Sequence, residues 1–196
     1  LINAADGYQL WSERYDREMK DIFDVQDEIT LAVVDALKLK LLVDEKEEVL
    51  KRYTKNAEAY QLYLRGRFFF LKRTHEALLK AIEYFQQAIE LDGDYALAYS
   101  GMADSYVFLG FYEHIPPAEA EKNLKSAALK SVEIDDTLAE TRTSIAFYRS
   151  LYQWDFIEAG NEIQRAIALN PKYAFAHHVD STILILLGRN DDAIAA

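Results

Sequence analysis

Tyr84-Phe85-Gln86-Gln87-Ala88-Ile89-Glu90-Leu91-Asp92-Gly93-Asp94-Tyr95-Ala96-Leu97-Ala98-Tyr99 is the stretch that decides the fold. It reads as the end of one helix, a short turn and the start of the next. Residues 130–139 (KSVEIDDTLA) and 165–174 (RAIALNPKYA) repeat this grammar. Aligning Ala88, Ser131 and Ala166 gives steps of 43 and 35 residues, and Ala81, Leu124, Ala159 and Ala193 give 43, 35 and 34. The period is therefore about 34 residues, with one repeat about nine too long. The surplus contains His114-Ile115-Pro116-Pro117, which cannot continue a helix. A longer loop is expected inside the second repeat.

Composition narrows the field. The chain has 196 residues, 51% of them hydrophobic, enough for one or two domains with a sizeable core. Lys+Arg is 22 against Asp+Glu 33, a net charge of −11, which disfavours nucleic acid or an anionic membrane as partner. Cysteine is absent, which excludes disulfides, zinc–thiolate sites and a thiol nucleophile. The longest aliphatic run, Ile183-Leu184-Ile185-Leu186-Leu187, is far short of the roughly 20 residues that span a bilayer. No signal peptide is visible. Both cytoplasm and periplasm fit, the latter if a membrane helix precedes this segment. The chain opens on Leu1 and stops within a helical pattern, so it is expected to be a piece of a larger protein.

Residues 1–11 read as a β-hairpin turning at Asp6-Gly7, with Tyr8, Leu10 and Trp11 favouring strands. A lone hairpin is marginal in water, so residues 1–23 are expected to be the remnant of an upstream α/β domain. Asp24 then caps a helix in which Ile29, Val33, Ala36 and Leu37 share a face, running as far as Leu42. Residues 24–55 form this linking segment, including the charge run Asp44-Glu45-Lys46-Glu47-Glu48, which reads as a solvated face.

Residues 56–196 resemble the tetratricopeptide repeat family. The match is carried by Tyr99, Met102, Ala103 and Tyr106 in the second repeat and by Ile145, Ala146, Ala159, Ile163, Ala166 and Pro171 in the third. Ala174, His177, Gly188 and Ala193 carry it in the fourth. The resemblance implies an all-α fold of helix-turn-helix repeats stacked as a right-handed α-solenoid. The repeats fall at about 56–93, 94–136, 137–171 and 172–196. Helices are expected over residues 75–91 and 117–134, with Ala127, Ala128 and Ser131 letting neighbours approach closely. Phe156 and Ile163 are expected in the core, while Ile183, Leu184 and Leu187 are expected to lack cover. The hairpin and the last repeat are two candidate surfaces for self-association.

In that family the first helix of each pair lines a concave groove. Counting from each repeat's start gives Gln61, Arg65 and Phe69, then Ser100, Asp104 and Phe108, then Thr143 and Phe147, then His178 and Thr182. One subclass grips a peptide's terminal carboxylate with Lys, Asn and Arg at repeated groove positions. Ser100, Asp104, Thr143 and Phe147 depart from that pattern and argue against binding of that sort. A mixed aromatic and polar groove suits a protein or peptide with apolar anchors.

Residues 1–42 also resemble the end of a TolB-like amino-terminal domain, through Leu10-Trp11, Tyr15-Asp16 and Phe23-Asp24-Val25-Gln26-Asp27-Glu28-Ile29. In bacteria such a domain often precedes these repeats in cyclase-, kinase- or winged-helix-linked signalling proteins. A sensory or regulatory segment is thus the alternative to an interaction scaffold.

Enzyme chemistry finds no support. There is no Gly-rich phosphate loop, no HExxH and no GxSxG. His177 and His178 are adjacent, which on a helix points them about 100° apart. Asp135-Asp136 and Asp191-Asp192 sit at turns and read as helix caps. No cofactor or metal is expected.

Overall fold

The computed structural model describes residues 8, 9, 12, 14, 22–36 and 52–195. The chain divides into two compact units, Leu1–Ala57 and Glu58–Ala196.

In the first unit α1 spans Ile22–Ala36, and none of its residues is fully buried. The helix starts at Ile22, three residues before the Val25 that a cap at Asp24 implies. Asp24 lies inside the first turn, where the positive end of the helix still favours it. Arg52 Nη2 bonds Asp24 Oδ1 at 3.0 Å, pairs with Asp27, and lies over the Phe23 ring. The expected hairpin falls outside the described residues apart from Tyr8 and Gln9, of which Gln9 sits in a single β-bridge. No strand is seen among the described residues beyond that bridge. The helix extension to Leu42 and the charge run at 44–48 also lie outside them.

The described part of the second unit is helical. Its elements are α2 (Ala57–Phe70), α3 (His75–Leu91), α4 (Ala96–Phe111), α5 (Pro117–Ile134), α6 (Ala139–Tyr148), α7 (Phe156–Leu169), α8 (Ala174–Leu186) and α9 (Asn190–Ala195). A five-residue π-turn, Arg149–Gln153, ends α6. The helices alternate as pairs, each pair leaning on the next. The first helices α4, α6 and α8 also pack on one another in sequence.

Two local devices repeat with the pairs. Inside each pair the turn holds one left-handed residue: Arg73 (φ 55), Glu113 (φ 58), Trp154 (φ 56) and Gly188 (φ 73). Such a residue stops a helix and reverses the chain. Between pairs the turn is an Asx turn, in which a side-chain oxygen replaces a backbone acceptor. Asp92 Oδ1 accepts from Asp94 N–H at 3.2 Å, Asp135 Oδ1 from Thr137 N–H at 2.9 Å, and Asn170 Oδ1 from Lys172 N–H at 3.1 Å. Asp135 is thus a helix cap, at the C-terminal end of α5, where its N–H bonds the Ser131 carbonyl and its side chain closes the following turn.

The core follows helical spacing. On α3 the buried residues are Ala77, Leu78, Ala81, Phe85, Ala88 and Ile89. Phe85 is fully buried against two glycines. A Cβ at Gly66 would stand 2.5 Å from its ring, and one at Gly101 2.6 Å. One ring thus wedges against α2 on one side and α4 on the other. Further along, Ser131 donates to the Ala96 carbonyl at 2.9 Å and accepts from Thr141 Oγ1 at 2.7 Å. Its small side chain ties α5 to α4 and α6.

Three expectations need correction. The surplus of the second repeat goes mostly into longer helices; the loop itself is only residues 112–116. Phe156 is only half-buried, whereas Ile163 is fully buried. Ile183 and Leu184 are covered, and Leu187 alone of the three is exposed.

Gly66→Ala and Gly101→Ala each force a methyl into a ring that cannot retreat. Each is expected to destabilise the array by about 1–3 kcal/mol in urea unfolding. Gly160→Ala, with nothing within 4 Å of the new Cβ, serves as control. Equal stability of all three variants would contradict the wedge.

Candidate functional site

The inner row of first helices converges on one aromatic cluster. Phe70 ends α2, Phe108 lies on α4 and Phe147 on α6, and all three are buried. Phe175, in the first turn of α8, is half-buried among them. Its ring centroid lies 6.3, 6.0 and 5.9 Å from those of Phe70, Phe108 and Phe147. The edge-on angles to Phe70 and Phe147 are those that ring quadrupoles favour. Arg73, from the turn after α2, lays its guanidinium over the same rings. Its Cζ is 3.5 Å from the Phe108 centroid, 4.1 Å from Phe70 and 5.6 Å from Phe175. Side chains of the first and fourth repeats therefore meet across the inner face.

A polar group lies beneath. Asp104 is fully buried. Ser144 donates to its Oδ1 at 2.7 Å, and Ser100 donates to Ser144 at 3.1 Å. Asp104 Oδ2, Arg73 Nη1 and Tyr173 Oη are buried with no hydrogen-bond partner among the described residues. Arg67 comes near enough to Tyr173 to feel its oxygen, but not in hydrogen-bond geometry. The three orphaned groups act electrostatically on one another. Each orphan costs about 1–3 kcal/mol. Burial pushes the Asp104 carboxyl up to about 7, against the pull of Ser144, Arg67 and Arg73. Burial also lowers Arg73, opposed by Asp104. At Arg67 burial works against the charge, but Tyr63, Tyr173 and Asp104 outweigh it and the pKa is raised.

The ten groove candidates divide. Ser100, Asp104, Phe108 and Phe147 belong to the cluster, but all four are buried and form its floor. Thr143 is buried too, donating to the Ala139 carbonyl at 2.8 Å. His178 is exposed and stacks on Phe175 at 6.0 Å. Thr182 is half-buried and donates to the His178 carbonyl at 2.8 Å. In the first repeat Phe69 stacks on Tyr84 of α3 at 5.5 Å, and Arg65 lies 6.0 Å from the same ring. Both turn toward α3, and Gln61 is half-buried. The structure does not bring these three to the cluster.

The residues that α2 does send there are Arg67 and Phe70, while Tyr63 packs on Phe85 and Tyr95. Arg67 and Phe70 sit one or two positions further along than the sequence reading placed them. The signal was available: Ala59 and Gly66 are two small residues seven apart, matching Ala96 and Ala103 on α4. Tyr173 and Phe175 were missed because they flank the start of α8 rather than its middle.

Elsewhere, His177 Nε2 bonds the Pro171 carbonyl at 2.9 Å, a local structural contact. Among the described residues no group of three His, Cys, Asp or Glu side chains could hold a metal ion. No helix there is long and apolar enough to cross a membrane.

Paired helices, repeated turns and a row of first helices on the inner side define the tetratricopeptide-repeat fold, and the chain has it. A thermophilic repeat protein of this kind from Thermus thermophilus superposes with a TM-score of 0.61 at 15% identity, over 91% of this chain and 87% of that one. The first tetratricopeptide domain of Spaghetti (RPAP3), solved with a bound HSP90 peptide, gives 0.50 at 15% identity over 70% and 99%. At these identities the likeness is one of fold. In sequence, 103 residues are 36% identical to "Putative adenylate cyclase 3" of Rhizobium meliloti (strain 1021), covering 53% of this chain and 18% of that protein. The chain thus spans under a fifth of that relative's length. No protein-family profile matches the chain.

Asp104 gives a pH test. Its folded pKa of about 7 lies above the ordinary 3.8, so the folded state holds the proton more tightly. The stability it contributes is present below about pH 4 and is lost as pH rises through about 7. Asp104→Asn, which can still accept from Ser144, removes this slope. Relative to the wild type, the variant is expected to gain up to ~4 kcal/mol between about pH 4 and pH 8. Parallel stability curves in urea unfolding would contradict the assignment.

Proposed function

We propose that the array is a protein-interaction module whose partner, a protein or peptide, docks on the inner face of the first helices. The observation that carries this is the half-buried lip formed by Arg67, Arg73, Tyr173 and Phe175 above a floor of buried rings and Asp104. It offers an apolar anchor site and unsatisfied polar groups at one place, the combination that peptide-binding surfaces use. The peptide held by the similarly folded Spaghetti domain supports the reading.

A second reading is compatible and concerns context. The stretch similar to the Rhizobium cyclase-named protein, with the TolB-like junction, favours a regulatory segment of a larger signalling protein. There the array would bias the output of a cyclase, kinase or DNA-binding domain according to what it binds. Deleting residues 56–196 from the full gene product is expected to change that output; unchanged output would contradict this second reading.

The module itself is tested by selecting peptides from a random display library against residues 1–196. Selected peptides are expected to lose at least about tenfold in affinity on Arg67→Glu, whose charge reversal alters the lip. They are expected to be indifferent to Leu71→Glu, an exposed position on the same segment. No selected peptide, or sensitivity to Leu71→Glu alone, would contradict it.

A further inference from the structure

Two residues with orphaned polar atoms stand beside a ring that is not fully enclosed: Arg73 Cζ lies 5.6 Å and the Tyr173 ring centroid 6.3 Å from the Phe175 centroid. Phe175 fills the space between Phe70, Phe108 and Phe147, yet remains partly open to the inner face. Around it Arg73 Nη1, Tyr173 Oη and, on the floor beneath, Asp104 Oδ2 lack a hydrogen-bond partner among the described residues. Buried polar groups are paired in the great majority of cases, so three together mark a place where something else completes the bonds.

We propose that this is a pocket for an aromatic side chain of the partner, held in the free protein by the chain's own Phe175. The proposal rests on the inner face being the docking surface and adds the chemistry of the anchor. An incoming phenylalanine-like residue in an extended peptide brings both halves of what is missing. Its ring takes the place among Phe70, Phe108 and Phe147 and under the Arg73 guanidinium. Its flanking peptide groups carry a carbonyl that accepts from Arg73 and an N–H that donates to Tyr173 Oη, both on the half-buried lip. Phe175 supplies the ring without those groups, so it is the weaker occupant and can be displaced. A self-occupied pocket also lowers apparent affinity by the fraction of molecules in which it is closed. The protein would thus bind its partner more weakly than an open pocket allows.

Phe175→Ala opens the pocket. The probe is N-acetyl-phenylalanine N-methylamide, with the alanine analogue as control, titrated by NMR while following the Arg73 side-chain N–H. The phenylalanine probe is expected to bind Phe175→Ala about tenfold or more tighter than the wild type. The gain is expected to shrink about threefold or more in Phe175→Ala/Tyr173→Phe, which removes only the hydroxyl, and the alanine probe is expected to show no difference. Should Phe175→Ala lose helicity by circular dichroism, Phe175→Leu is used, with the same ranking of probes. Equal binding to wild type and variant, or equal binding of both probes, would overturn the proposal. Display peptides that bind the lip without any aromatic residue would overturn the anchor while leaving the interaction module standing.

Discussion

The structure depends on one ring. Phe85 on α3 presses against Gly66 of α2 and Gly101 of α4, with no room for a methyl group at either. Glycine costs a helix roughly 1 kcal/mol relative to alanine, so two mid-helix glycines need a compensating contact. Here it is the full burial of an aromatic side chain, which contributes about 1.5–3 kcal/mol. The wedge lets the first helices of the first two repeats come near a shared bulky neighbour. In the third repeat Ala159, Ile163 and Ala166 are fully buried and hold the spacing by ordinary helix packing.

That spacing shapes the inner face. Polar residues that would otherwise line an open groove pair among themselves instead. Ser100, Ser144 and Asp104 form one chain of hydrogen bonds across α4 and α6. The aromatic residues close over them, and Arg73 and Phe175 reach in from opposite ends of the array. The cost falls on Asp104, whose carboxyl sits where burial disfavours its charge. The face is thus closed, yet Asp104 Oδ2, Arg73 Nη1 and Tyr173 Oη have no partner among the described residues.

Much of this could be read from the sequence. The turns at Asp92, Asp135 and Asn170 announce the period because each must supply the same side-chain acceptor. The bounds of α3 and α5 come directly from that period and from Pro117. The site was harder. Helix α2 starts two residues before Ala59, the counterpart of Ala96 at the start of α4, so counting from the repeat's start put Arg65 and Phe69 where Arg67 and Phe70 belong. Counting from each repeat's start puts Ser100, Asp104 and Thr143 on the groove, yet all three are buried. They are buried because each found a partner on its own or a neighbouring first helix. Pairing of that kind joins residues some 40 positions apart, which single-sequence periodicity does not reveal.

Above all, the first and fourth repeats touch across the inner face. Ring-to-ring nuclear Overhauser contacts in protein labelled on phenylalanine test this most directly. Cross-peaks are predicted from Phe175 to Phe70, Phe108 and Phe147, with centroids 5.9–6.3 Å apart, and they should be lost in Phe175→Ala. Cross-peaks from Phe108 to Phe147 alone, with none reaching Phe175, would mean an open groove and contradict the closed inner face.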